Sequence, residues 1–221
     1  MTAAMPSILS AAGIGAIDAE LLRLALTHAS KSKAKNNERL EFLGDRVLSL
    51  AVADMIYARY PDESEGDLAL RHAALVRAET LARIARAHGL SRDVLAVGDG
   101  ADGPAQLDNV LADTFEALMG ALYLDQGYPV CAAAVKIWWG SVMDDMAVPP
   151  RDPKSMVQEW AQGRGLPLPD YQLIERMGPD HAPEFLIELR VKGCDPVRAT
   201  GPTRRQAEKE AARILIESLP S

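Results

Sequence analysis

From Asp18 to Met146 apolar residues recur at intervals of three and four, as in Leu40, Leu43, Val47, Leu50 and Ala51, or Leu111, Phe115, Leu118 and Leu122. That spacing lays one apolar stripe along an α-helix, and no period-two alternation interrupts it, so this stretch reads as all-α. Breaks are expected at Tyr60-Pro61-Asp62, at His88-Gly89, in the loop from Gly98 to Pro104 and at Gly127-Tyr128-Pro129. The pattern changes after Val148-Pro149-Pro150-Arg151-Asp152-Pro153, a stiff Pro-rich linker. Beyond it a short helix over 154–162 precedes Phe185, Ile187, Leu189 and Val191, which alternate with Glu184, Leu186, Glu188 and Arg190 at period two. Flanking strands are expected over 171–176 and 196–200, and 203–219 reads as an amphipathic closing helix. The chain therefore divides into an all-α domain over 1–147, a linker over 148–152 and a small α+β domain over 153–221 in the order α-β-β-β-α.

Composition narrows the function classes. With 221 residues, 48% hydrophobic and 25% charged, the chain can bury a core and is not compositionally disordered. No apolar run approaches the roughly 20 residues of a membrane-spanning helix. The apolar stretch from Ile8 to Ile17 has no basic residue before it, the first being Arg23, so no secretory signal is expected. Two distant cysteines, Cys131 and Cys194, build neither a disulfide framework nor a metal knuckle, and a reducing cytoplasm is the expected home. The formal net charge of −7 argues against nucleic-acid binding by bulk positive charge. However, residues 151–221 hold 11 Lys+Arg against 11 Asp+Glu, which leaves 13 positive and 20 negative charges on the rest. All net acidity lies in the first two thirds, and a neutral tail still binds polyanions if its cations cluster.

The sharpest feature is Asn36-Asn37-Glu38-Arg39-Leu40-Glu41-Phe42-Leu43-Gly44-Asp45. At 100° per residue Glu38, Glu41 and Asp45 fall within about 60° of one another, opposite the apolar stripe. A second pair, Asp113 and Glu116, is spaced i, i+3 in the apolar run Leu111-Ala112-Asp113-Thr114-Phe115-Glu116-Ala117-Leu118. Solvated helical acids are ordinarily balanced by cations three or four residues away. Glu41, Asp45, Asp113 and Glu116 lack such neighbours, and Glu41 and Asp45 are themselves a like-charge i, i+4 pair. A divalent cation would reverse that repulsion, and ligation by carboxylates alone selects a hard ion, Mg²⁺ or Mn²⁺, over zinc. Glu38, in the first turn, is equally explained by the helix dipole. A di-iron helical site would need Glu-x-x-His, but the residues three before His28, His72, His88 and His181 are Ala25, Ala69, Ala85 and Gly178. The Gly98–Pro104 loop lacks the alternating acids of a calcium loop and reads as a connection.

Glu38-Arg39-Leu40-Glu41-Phe42-Leu43-Gly44-Asp45 resembles the signature of the ribonuclease III family, and Leu111 to Gly120 resembles its second acidic motif. Glu65-Gly66-Asp67-Leu68, after Tyr60-Pro61, matches a third segment, and the α-β-β-β-α tail resembles a double-stranded-RNA-binding domain. The resemblance spans nearly the whole chain. It implies an all-α endonuclease domain followed by an RNA-binding domain, forming a homodimeric, Mg²⁺-dependent endoribonuclease with Mn²⁺ as a substitute and no organic cofactor or membrane partner. Both strands of double-stranded RNA would be cut to 5′-phosphate and 3′-hydroxyl ends with short 3′ overhangs, in processing of ribosomal RNA precursors and structured messenger or transfer RNA transcripts. A catalytically silent double-stranded-RNA-binding protein is the competing reading, and its mark would be missing acids.

In family terms Asp45 and Glu116 are catalytic, Glu41 and Asp113 complete the metal ligands, and Glu38 and Glu65 are accessory acids. Phe42, inside the signature but off the stripe, corresponds to an aromatic used across the dimer interface. Gln158 and Gln162 match minor-groove contacts, His181 a loop contact, and Arg204, Arg205 and Lys209 phosphate contacts at a helix start. Three departures stand out. Arg204 and Arg205 after Thr203 replace two lysines after a serine, which preserves charge. Gln106-Leu107-Asp108-Asn109 lacks the basic residues many relatives carry. Arg46 stands where a small residue is common, with no reason visible in the sequence.

Overall fold

The computed structural model describes residues 5–94, 104–179 and 181–219, with side chains from 107 onward in the middle segment. Most of the Gly98–Pro104 loop, Asp180 and the Gln106 side chain lie outside the described residues. Contacts divide the chain between Pro150 and Arg151 into two units.

The first unit is helical, as the three-and-four spacing predicts. Its elements are α1 (Ser7–Ala11), α2 (Ala19–Ala25), α3 (Glu38–Arg59), α4 (Glu65–Val76), α5 (Ala78–Ala87), a 3₁₀ turn (Leu90–Arg92), α6 (Pro104–Gln126) and α7 (Tyr128–Asp144). Their boundaries have local causes. Asp18 accepts hydrogen bonds from the Glu20 and Leu21 amides at 2.9 Å, and Ser64 accepts one from the Asp67 amide at 3.2 Å, capping α2 and α4. Helix α3 ends where Pro61 follows Tyr60, and Gly127 alone separates α6 from α7.

Helix α1 precedes the expected helical region. It is held from outside: Ile8 and Leu9 are fully buried, and the Trp138 indole donates to the Ile8 carbonyl at 3.0 Å. Trp139 donates likewise to the Leu75 carbonyl at 3.2 Å, and Phe115 meets the Trp138 and Trp139 rings at 5.2 and 5.6 Å between centroids. The α6 stripe of Leu111, Phe115, Leu118 and Leu122 is thus core, as its spacing predicts. On α3 the expected stripe needs correction, because Leu50 is exposed while Leu40, Val47, Leu48, Ala51, Val52, Met55 and Ile56 are buried. Arg71, 1% exposed, is the largest buried polar side chain among the described residues. It donates to Glu63 at 2.6 and 2.7 Å and to the Met146 carbonyl at 2.7 Å, and lies over the Tyr60 ring.

The contact that matters most for the site is α3 against α6, which meet at glycines. A Cβ built on Gly44 would overlap the Glu116 carbonyl and stand 2.8 Å from the Gly120 nitrogen; one on Gly120 would press on the Leu40 carbonyl. Two backbones touch there without side chains between them, so α3 and α6 approach closely at these glycines.

The second unit runs α8 (Pro153–Gly163), β1 (Asp170–Met177), β2 (Glu184–Arg190), β3 (Val197–Gly201) and α9 (Arg204–Ser218). The strands form an antiparallel sheet in the order β1-β2-β3, with Leu173 opposite Ile187 and Ile187 opposite Ala199. Asp152 caps α8, with Pro153 at its first position, and Thr203 caps α9. Val157 and Ala161 of α8, Leu189 and Ala199 of the sheet, and Ala211, Ala212 and Leu215 of α9 form the core. The period-two reading places Glu188 outside, but it is 2% exposed. Arg190 and Arg198 close over it, each donating at 2.6 Å, and hold its carboxyl below the ordinary range. No helix among the described residues is long and apolar enough to cross a membrane.

Candidate active site and RNA-binding face

Glu38, Glu41 and Asp45 rise from the first two turns of α3, and Asp113 and Glu116 from the middle of α6. Because Gly44 lies directly on the Glu116 backbone, Glu41, one turn before it on α3, is brought near Asp113 and Glu116 of α6. Burial pushes the Glu116 carboxyl up to about 7, helped by the charges of Asp113 and Glu41 and opposed by that of Arg46. Glu41 is raised by burial and then by Asp113 and Glu38, and Asp113 is raised by burial. These residues therefore feel one another as like charges in a half-buried site. Their donor set is carboxylate only, which fits a hard divalent cation. Among the described residues no three His, Cys, Asp or Glu side chains converge to ligating distance. Asp45 is turned into an ion pair with Arg46.

Two residues near the acids are given no role by the sequence reading. Arg46 pairs with Asp45 and its guanidinium carbon lies 5.2 Å from the centre of the Phe42 ring. The cation absent at three and four residues is present at one. His28 lies in the connection between α2 and α3, where its charge lowers the Asp113 carboxyl against the effect of burial, and its Nδ1 meets the Ser30 hydroxyl at 2.9 Å. A hydrogen bond from the Asn37 amide to the Thr27 carbonyl, 2.9 Å, closes that connection at its base. No motif marks His28, because its placement comes from the packing of α2 on α6.

The accessory acids separate. Glu38 stays beside Glu41 and accepts from the Asn36 side-chain Nδ2 at 3.0 Å. Glu65, at the start of α4, lines an open hollow of about 530 Å³ with Ala53, Tyr57, Leu68, Ala69 and His72, and so is not brought to the other acids within this chain. Ala53 is eight residues beyond Asp45, or about 12 Å along α3. Phe42 is 68% exposed, as its place off the stripe predicts, and Leu50 and Tyr57 continue an exposed apolar row along α3.

In the second unit Gln158 and Gln162 are exposed one turn apart on α8, and His181 is exposed between β1 and β2. Gln158 and Arg205 line one hollow of about 490 Å³ with Lys154, Ser155 and Tyr171, so α8 and the start of α9 share a face. Arg204 and Lys154 both pair with Glu208, at 2.8 and 2.7 Å, and Lys209 lies 3.7 Å from Asp152. The cations of this face are oriented by acids of the same unit.

A Ribonuclease-III-like family model matches residues 18–139, and a double-stranded RNA binding motif matches residues 153–219. Ribonuclease 3 of Caulobacter vibrioides is 46% identical over 206 residues, covering 90% of this chain and 89% of that protein. Ribonuclease 3 of Anaplasma marginale is 40% identical over 220 residues, covering 96% and 93%. Among solved structures, the nuclease domain of ribonuclease III from Campylobacter jejuni is 33% identical with a TM-score of 0.55, covering 61% of this chain and 95% of that one; its region involved in dimer formation is described as flexible. With both domains matched in order and the two acidic motifs on facing helices, the chain belongs to the ribonuclease III family of endoribonucleases, with a double-stranded RNA binding motif as its second domain.

Proposed function

We propose that this protein is a Mg²⁺-dependent endoribonuclease, with Mn²⁺ as a substitute, that hydrolyses both strands of double-stranded RNA to 5′-phosphate and 3′-hydroxyl ends with short 3′ overhangs. The observation that carries the reading is the like-charged, half-buried set of Glu41, Asp113 and Glu116 at the glycine contact of α3 with α6, with Asp45 one turn from Glu41. Glu41, Asp45, Asp113 and Glu116 are the residues that would hold the ion, with Asp45 and Glu116 nearest the chemistry. A bound divalent cation supplies a nucleophile from water at neutral pH and neutralises charge on the scissile phosphate.

The chain's own part is positional and electrostatic. Rigid helices hold the carboxylates, and the backbone contact at Gly44 leaves little play between them. Partial burial lowers the local dielectric and strengthens every charge interaction at the site. Glu116, pushed up to about 7, exchanges a proton at its carboxyl near neutrality, so cation binding there is coupled to proton release. Glu38 supports Glu41 from the first turn of α3.

A homodimer supplies two equivalent centres for two strands. The exposed row of Phe42, Leu50 and Tyr57 beside the apolar hollow is the surface that supports it, with Phe42 crossing the interface. The second unit grips the duplex by shape, Gln158, Gln162 and His181 facing minor grooves and Arg204, Arg205 and Lys209 facing phosphates. The natural substrates in this reading are ribosomal RNA precursors and structured messenger and transfer RNA transcripts, met in the cytoplasm.

The test is cleavage of a long labelled RNA duplex. Wild type with Mg²⁺ is expected to cut, and EDTA or Glu116→Gln to abolish cutting while duplex binding persists. Binding without cutting by wild type in either Mg²⁺ or Mn²⁺ would replace this reading with that of a silent RNA-binding protein.

A further inference from the structure

Arg46 is the one departure in the signature for which the sequence offers no reason, and the structure gives it two contacts. It pairs with Asp45, and its guanidinium rests on the Phe42 ring at 5.2 Å, one turn back along α3. Its side chain is 63% exposed, so it can swing away without breaking a core. Its charge also crosses the helix seam and opposes the rise of the Glu116 carboxyl.

We propose that Arg46 is a resident counter-cation of the carboxylate site, which neutralises Asp45 in the ion-free protein and must leave it before a divalent ion binds. This rests on the metal-site reading above. A carboxylate oxygen engaged by a guanidinium is not available as a ligand, and two cations on one small carboxylate repel each other. Phe42 then has a second use. Its ring face holds the guanidinium beside Asp45 in the ion-free protein. Arg46 is thereby a positioning residue, setting how much divalent ion the site requires and preventing the acids from standing uncompensated without it.

The test uses the full-length protein freed of metal with chelator and titrated with Mn²⁺, the unbound ion being followed by electron paramagnetic resonance. Arg46→Ala is expected to bind Mn²⁺ about five- to tenfold more tightly than wild type, the scale of losing one exposed ion pair and one nearby repulsion. Arg46→Lys, which keeps the charge, should stay within about twofold of wild type on the same scale. In EDTA Arg46→Ala should melt below wild type, and the rise in Tm on adding Mn²⁺ should be larger in the variant. Equal or weaker Mn²⁺ affinity in Arg46→Ala overturns the inference, as does an Arg46→Lys that binds as tightly as Arg46→Ala. If wild type binds no Mn²⁺ that Glu116→Gln loses, the metal-site reading fails and this inference fails with it, an outcome distinct from equal affinities.

Discussion

Glu116 concentrates the site's electrostatics in one side chain. Its folded value of about 7 lies above the ordinary 4.5, first through burial and then through Asp113 and Glu41. Between those values the unfolded chain has released the proton and the folded chain still holds it. The folded state binds more protons there, so stability falls as pH rises from about 4.5 to about 7. Glu41 and Asp113, also raised, act in the same sense. In EDTA the urea midpoint of wild type is therefore expected to decline across that window, and Glu116→Gln to lessen the slope without removing it. A flat wild-type profile would contradict the burial of this carboxyl. The same proton competes with a cation, so the Mg²⁺ concentration for half-maximal cleavage should rise as pH drops below about 7.

At the scale of elements, the acids are useful only because α3 and α6 are close. Gly44→Ala places a methyl group against the Glu116 carbonyl, and neither partner is a flexible side chain that could turn aside. The helices must separate, at a cost of about 1–3 kcal/mol typical of overpacking. That separation also spreads the carboxylates, so Gly44→Ala is expected to lower both the urea midpoint and the affinity for Mn²⁺. Stability lost with Mn²⁺ affinity retained would mean that the glycine contact does not set the site. Much of this level is legible in the sequence. Helical spacing puts Glu38, Glu41 and Asp45 on one face, and the period-two run from Glu184 marks β2. What is not legible depends on contacts between elements. The i, i+3 and i, i+4 rules overlook Arg46, which reaches Asp45 from the adjacent position. Helical spacing places Leu50 inside, although α3 presents that face outward, and the period-two reading places Glu188 outside, although two arginines cover it. Helix α1 is too short to show a period and exists through Trp138. That the two acidic motifs meet is not readable from either helix alone; the family resemblance carried that expectation.

At the scale of the whole molecule two surfaces remain exposed. The apolar row of Phe42, Leu50 and Tyr57 is costly to leave in water, and a second copy is the occupant proposed for it. Phe42→Ala should accordingly raise the dimer dissociation constant at least tenfold by sedimentation, the effect expected of an aromatic anchor. The other surface concerns RNA and follows from the division of charge. Residues 1–150 carry all of the net −7 and repel a polyanion, whereas residues 151–221 balance 11 cations against 11 acids and gather Arg204, Arg205 and Lys209 at the start of one helix. Capture should therefore depend on that trio and chemistry should not. Removing it with Arg204→Ala, Arg205→Ala and Lys209→Ala is expected to flatten the dependence of log binding constant on log salt by about 2–3, near one unit per lost phosphate contact. Arg204 and Lys209 already answer to Glu208 and Asp152, so their share falls toward the lower figure. Single-turnover cleavage at saturating duplex should stay within a few-fold of wild type, because the carboxylates belong to the other unit. An unchanged salt slope would place RNA capture elsewhere, while a cleavage rate that collapses at saturation would mean the second unit also aligns the duplex for hydrolysis.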